Sequence, residues 1–402
     1  MKLGLLGALY FSQGLPFGFF TQALPVLLRK QGVSLGAIGL SSLAAAPWAL
    51  KFLWAPAVDR YSTARLGRRK SWIVPLQLSA LLILATLAAL PLSLPRLLVA
   101  FGLLNLVAAT QDVATDGLAV DLLSPAERGI GNGLQVAAYR VGMIAGGGAL
   151  LMLYDTIGYA GVFASMAALT AAATLPVWIV REPALRRAPA RERAGSHFLR
   201  RPGAGRVIAL LAVYKAGDAF GTGMLRPFLS DLGLTLQDIG LLLGTVGFCA
   251  GLTGALAGGL LVNRVGRRRA LVAFGLLQVL TLAGYAGLAL GRPGFGALSF
   301  WCGLEHFASG MATAALFTCM MDWCSEATAA TDYTVQACAV VIATGAASSL
   351  AGFSAQALGY FAHFALSGAL ALLALVAVWQ LFPTPAVARA LSGASAPVPP
   401  PG

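Results

Sequence analysis

The chain has 402 residues, of which 58% are hydrophobic and only 11% charged, with a formal net charge of +13 at pH 7. A soluble domain is closer to one quarter charged, and so few polar groups cannot cover a water-facing surface. That excludes a soluble enzyme, a nucleic-acid binder and a disordered chain, and at ~20 residues per membrane crossing it leaves a polytopic helical membrane protein.

Apolar runs between charged or turn-rich breaks predict twelve transmembrane helices: 4–28, 35–57, 71–91, 96–122, 131–153, 159–180, 206–229, 236–262, 269–290, 296–321, 332–359 and 363–382. The first run starts beside Lys2 and is too long for the apolar core of a signal peptide, so it reads as helix 1. Clear breaks are Arg29-Lys30-Gln31-Gly32, Pro91 to Pro95, Ser124-Pro125-Ala126-Glu127-Arg128 and Arg292-Pro293-Gly294; the join near Gly359 is the faintest. In helix 5, Gly142, Gly146, Gly147 and Gly148 form a small-residue stripe suited to close helix approach. No strand precedes them, so they are not a dinucleotide fingerprint. Cys249, Cys302, Cys319, Cys324 and Cys338 form no CxxC pair and read as apolar packing residues.

Basic residues set the orientation. Loop 2–3 carries Arg60, Arg65, Arg68, Arg69 and Lys70; loop 6–7 carries eight arginines from Arg181 to Arg206; loop 8–9 carries Arg264, Arg267, Arg268 and Arg269. With Arg128, Lys2 and Arg389, 20 of the 28 basic residues fall on one side. The positive-inside rule makes that side, and both termini, cytoplasmic. The high charge is then a topology signal with anionic lipid headgroups as neighbours, and no nucleic-acid partner is expected. The expected organisation is a six-helix bundle over 1–180, a cytoplasmic linker over 181–206, a second six-helix bundle over 207–384 and a disordered tail over 385–402, where Pro397 and Pro399 to Pro401 cluster.

The halves echo each other. Gly32 to Leu40 resembles Gly233 to Leu241, and Asp59-Arg60 followed by Gly67-Arg68-Arg69-Lys70 resembles Asn263-Arg264 followed by Gly266-Arg267-Arg268-Arg269. Asp121 and Gln135 recur as Asp322 and Gln336. Echoes in register indicate a duplicated six-helix unit, which is a transporter architecture. On these residues the chain resembles the major facilitator superfamily. Further blocks are Lys51-Phe52-Leu53-Trp54-Ala55-Pro56, Gln111-Asp112-Val113-Ala114-Thr115-Asp116-Gly117, Gln135 to Met143, Tyr214-Lys215-Ala216-Gly217-Asp218 and Phe307 to Met311. They are similar to the AmpG-type permeases and the acetyl-CoA transporter group. Thr331-Asp332-Tyr333-Thr334-Val335-Gln336 looks more like the related RhtX/FptX-type siderophore permeases. The resemblance implies ion-driven import across the bacterial inner membrane, of a siderophore or, alternatively, of an anhydro-muropeptide.

Ionisable groups inside the spans carry the mechanism, because each costs about 2.5–3.5 kcal/mol at the bilayer centre and needs a partner or a wet cavity. Arg140, Lys215, Asp218, Glu305 and His306 fall near mid-depth; Asp112 and Asp116 lie on one face of the cytoplasmic half of helix 4. Helices 1, 4, 7 and 10 line the cavity in the superfamily resembled, and the repeat offset matches Gln13 with Lys215 and Asn105 with His306. Gln13, Asn105, Arg140, Lys215 and His306 are therefore expected to bind substrate in one central cavity. Asp218, Glu305, Asp112 and Asp116 are expected to couple protons, since burial raises a carboxylate toward working pH. Each has a static rival: Lys215 with Asp218 as a self-neutralising turn, Arg140 as a tie to Asp112 or Asp116. Asp59, Arg60, Arg68, Asp121, Arg128 and Arg264 are expected to form cytoplasmic gates, with Asp121 near Arg128, while Lys51 is expected to snorkel to the interface.

The expected function is a monomeric, proton-coupled permease for an anionic or zwitterionic small molecule, working by alternating access without a cofactor or metal. No Walker A sequence occurs, so this chain does not use ATP. A drug or metabolite exporter is an alternative within the class; a membrane-embedded acyltransferase, a sensor or a channel are rivals from other classes. His197, His306 and His363 are too scattered for a catalytic constellation.

Overall fold

The structure, a computed structural model, describes residues 1–30, 32, 42–63, 66–91, 93–180, 182 and 198–393. The echoing segments around Gly32 to Leu40, most of the linker and the end of the tail lie outside the described residues. Among the described residues the chain is helical, with one isolated bridge between Thr63 and Gly67.

Helix α1 covers 2–30, with a wide turn over Phe19–Ala23, and α2 covers 42–60 in short pieces joined by tight turns at Ser42–Ala45 and Lys51–Leu53. Then follow α3 (Lys70–Ala89), α4 (Leu94–Leu122), α5 (128–152) and α6 (Tyr154–Ile179). The second half has α7 (204–231), α8 (236–265), α9 (Arg267–Leu288) and α10 (Phe295–Asp322). One continuous stretch, Ala329–Leu381, is broken at Gly359 by a positive φ of 75°, which separates α11 (329–358) from α12 (360–381). Only a residue without Cβ takes that angle cheaply, so the faintest break in the sequence is a backbone turn rather than a charged loop. Residues 385–392, assigned to the tail by sequence, form a short helix α13. Thr384 caps its start, accepting from the Val387 amide, and Gly393 takes a left-handed φ of 66° at its end.

The chain divides into two units: Met1–Leu123, Ala138–Gly195 and Ala327–Thr334 make the first, and Ser124–Ala137, Ser196–Glu326 and Val335–Gly402 the second. Each unit thus takes the first turns of a helix whose remainder belongs to the other. In the first, α1 packs on α4, α5 and α6, and α3 lies against α4 and α6. A Cβ at Gly142 would sit 2.2 Å from the Phe11 carbonyl oxygen, and one at Gly146 1.9 Å from that of Leu15, so α1 and α5 meet backbone to backbone. Gly147 is equally pressed against Gly18, whereas Gly148 faces open space. In the second unit α8 and α10 meet the same way, with Gly254 on the Phe307 carbonyl and Gly310 on that of Gly251. The start of α5 joins this unit because Gly129 and Gly133 fit against the carbonyls of Gly259 and Ala255.

Candidate functional site

Three side chains tie α2 to α4 in the first unit. Trp48 donates to Asn105 Oδ1 at 3.0 Å, the Lys51 ammonium pairs with Asp112, and Trp54 donates to Thr110 Oγ1 at 3.1 Å. Lys51 is only 3% exposed, so it does not snorkel to the interface; a buried carboxylate within reach is the stronger attraction. Asp116 lies one helical turn on from Asp112 and accepts from the Tyr10 hydroxyl of α1 at 2.8 Å. Gln13 points into the same bundle and donates to Thr115 at 3.0 Å, leaving its Oε1 unpartnered. Around them Ser12, Gln77, Gln111 and Thr174 form a buried chain of hydrogen bonds. Arg140 lies half-buried on α5. Next to it, Tyr139 packs with Phe17 and Trp48 in an aromatic group with centroids 5.3–6.3 Å apart.

The second unit holds a matching cluster on α7 and α10. Lys215 Nζ lies 2.6 Å from Asp218 Oδ2, and both meet the Ser309 hydroxyl at 3.2 Å. Asp218 is 5% exposed, and its Oδ1 is buried with no partner. Glu305 is buried and sits 2.7 Å from Nδ1 of the half-buried His306, which also approaches the Cys302 carbonyl at 2.9 Å. The His306 ring fills the space opposite Gly247, where a Cβ would meet it at 2.7 Å.

Near the ends of the helices the charges pair differently from the expectation. In the first unit Asp59 accepts from Arg68 at 2.9 Å, from Arg69 at 2.7 Å, and from the Thr331 amide and hydroxyl at 2.7 and 2.6 Å. Arg68 also donates to the Ala327 carbonyl. Arg69, fully buried, reaches on to Asp121 at 2.7 Å, while Glu182 receives the Arg69 and Lys70 amides at the start of α3. Burial opposes the charge of Arg69, but Asp121 and Asp59 more than offset it and its pKa is raised; burial and the adjacent Arg69 lower that of Arg68. In the second unit Asp322 accepts from Arg128 at 2.9 Å and from Arg267 at 2.7 Å, and Arg267 also holds Asn263 Oδ1 at 2.6 Å. Asp121 thus pairs with Arg69 within the first unit, and Arg128 with Asp322 within the second. Arg60 and Arg264 are exposed, and the buried or half-buried roles fall to Arg69 and Arg267. Thr331, which had pointed to siderophore permeases, is explained locally as a cap on Asp59.

The residues that sequence reading missed are Tyr10, Lys51, Arg69, Arg267 and Ser309. Lys51 carries the signal that singled out Lys215, a charge within an apolar run. Asp322 had already appeared as the echo of Asp121.

The sequence profile described as acetyl-coenzyme A transporter 1 matches residues 2–91, and that of the major facilitator superfamily matches residues 208–401. The chain is 30% identical to the anhydromuropeptide permease of Escherichia coli (strain K12), over 93% of this chain and 78% of that one. It is 27% identical to the putative transporter AmpG 4 of Rickettsia conorii, over 92% and 93%. Among solved structures it is similar to the major facilitator transporter FucP in its outward conformation, with TM-score 0.74, 15% identity and coverage of 96% and 99%. A bacterial homologue of the iron transporter ferroportin gives TM-score 0.70 at 18% identity, over 96% and 100%. These likenesses favour the muropeptide alternative, and the siderophore side of the resemblance finds no support in them. The chain belongs to the major facilitator superfamily, in its AmpG and acetyl-CoA transporter-like group, and is a multi-pass membrane permease, not an enzyme.

Proposed function

We propose that the protein imports an anhydromuropeptide-like sugar–peptide across the bacterial inner membrane, driven by protons, with both termini in the cytoplasm. The permease of that name in Escherichia coli, similar over 93% of this chain, supports the substrate class. The observation that carries the reading is the Lys215–Asp218–Ser309 cluster with its unpartnered Asp218 Oδ1. A static ion pair is stable only if its remaining hydrogen-bonding atoms are also satisfied. Here one carboxylate oxygen is left for a ligand donor, while the ammonium can receive a ligand carboxylate. A zwitterionic peptide offers both groups. Glu305 and His306 lie on the same helix as Ser309, and we assign them to binding the sugar or to a second titrating step. The clusters at Asp59 and Asp322 act as cytoplasmic gates that open and re-form as access alternates.

Uptake into proteoliposomes of a labelled anhydromuropeptide and of a labelled ferric siderophore, under the same inward pH gradient, tests this. Accumulation of the muropeptide alone is expected, falling at least tenfold in Lys215→Met. Accumulation of the siderophore and not the muropeptide would refute the proposal.

A further inference from the structure

We infer that the first unit binds one ordered water molecule inside its helix bundle, held by the Gln13 carboxamide of α1 and the Thr170 hydroxyl of α6, and that Gln13 serves this water rather than a substrate. The inference does not depend on which substrate is carried. A small cavity lies among α1, α3, α4 and α6. It is lined by Ser12, Gln13, Gln77, Gln111 and Thr170 together with apolar side chains, and it has the room of about one water molecule. Two polar atoms of this lining have no protein partner among the described residues: Gln13 Oε1, on a residue 1% exposed, and Thr170 Oγ1, on a residue 2% exposed. A carbonyl or hydroxyl buried in that condition is costly, and a ligand bonded to both removes the cost.

The neighbouring bonds define the ligand. Ser12 Oγ donates to the Leu9 carbonyl at 2.7 Å and accepts from Gln77 Nε2 at 3.0 Å and Gln111 Nε2 at 3.4 Å, so its proton and both lone pairs are used. Thr174 donates to Gln77 Oε1 at 2.9 Å. Gln13 Nε2 is turned to Thr115 at 3.0 Å, so Gln13 Oε1 needs a proton from elsewhere. The Thr170 hydroxyl can donate or accept, and Gln77 and Gln111 each carry a second amide N–H. The ligand must therefore both donate and accept within the space of a single heavy atom. No charged side chain lines the cavity, so an ion there would be uncompensated in an apolar bundle. Water meets each requirement. It also closes a circuit: the direct bonds run from Thr174 of α6 through Gln77 of α3 to Ser12 of α1 and on to Gln111 of α4, and the water joins α6 back to α1. Both ends of the Gln13 carboxamide are then engaged within the bundle, and neither is left for a substrate.

Two measurements on the full-length protein in detergent test this. Thr170→Val keeps the shape of the side chain and removes its hydroxyl. With a water bonded there the change strands the water, and the melting temperature is expected to fall by about 2–4 °C. In a dry cavity the same change would relieve a stranded hydroxyl, so a melting temperature at or above that of wild type would overturn the inference. The second measurement needs no variant: brief X-ray radiolysis of the wild type, with oxidised residues read by mass spectrometry. Leu104 and Leu118 both lie on α4 and are both 1% exposed, but only Leu104 lines the cavity. Radicals formed in bulk water reach neither side chain, whereas radicals formed from a water bound in the cavity reach Leu104. Oxidation of Leu104 about threefold or more above that of Leu118 is expected, with the oxygen-18 label appearing in it when the protein is equilibrated in labelled water. Equal oxidation of the two leucines would overturn the inference whatever Thr170→Val does to stability.

Discussion

Arg60 and Arg69 belong to one basic loop, yet Arg60 is exposed and Arg69 is fully buried between Asp59 and Asp121. Counting charges for topology weights them equally, so nothing in the run of arginines reveals which one turns inward. The distinction depends on carboxylates far away in sequence. The same holds for Lys51, whose partner Asp112 lies 61 residues on. Removing one member of a buried pair strands the other and costs about 3–5 kcal/mol, whereas surface changes stay within ~0.5 kcal/mol. Arg69→Gln is therefore expected to lower thermal stability in detergent markedly and Arg60→Gln hardly at all. Equal melting temperatures for the two variants would contradict this assignment. Asp59→Asn weakens the same cluster, and because Asn263 occupies the equivalent place in the second repeat, an amide there is structurally tolerable. That variant is expected to fold, with uptake reduced several-fold; unchanged uptake would remove Asp59 from the gate.

Helix packing was more legible than side-chain pairing. The stripe Gly142, Gly146, Gly147 was readable as a close-approach face because small residues recur on one side of a helix, and α1 does lie against it. What periodicity could not give is the partner, or that Gly148 faces open space. Adding a methyl where a carbonyl oxygen is already in contact forces the helices apart, costing about 1–3 kcal/mol, while alanine in open helical backbone gains about 0.5–1 kcal/mol over glycine. Gly142→Ala is expected to melt below wild type and Gly148→Ala at or above it, measured by thermal unfolding in detergent. The reverse order would show that α1 and α5 do not cross as described. Hydropathy also placed the turn between α11 and α12, where Gly359 alone reverses the chain. It missed α13, because a segment leading into a proline-rich end reads as unstructured unless its cap, Thr384, and its stop, Gly393, are recognised.

At the scale of the whole molecule, composition alone dictated a helical membrane protein, and repeated segments around Asp59 and Asn263 pointed to a duplicated transporter. Those features are global sums or local echoes, which one sequence displays directly. The substrate class was not legible in the same way. Thr331 to Gln336 suggested a siderophore permease, yet the Thr331 side chain serves the packing of α11's first turn on Asp59, so its identity reports on a helix cap and not on cargo. On the proposed mechanism, polar groups buried in each repeat convert a proton gradient into substrate movement. Its most direct measurement is the proton itself: vesicles loaded with a pH indicator, held without a gradient, and given external anhydromuropeptide. Internal acidification that follows substrate entry, in a fixed ratio and only with active protein, is predicted. Substrate entry with no change in internal pH would contradict it.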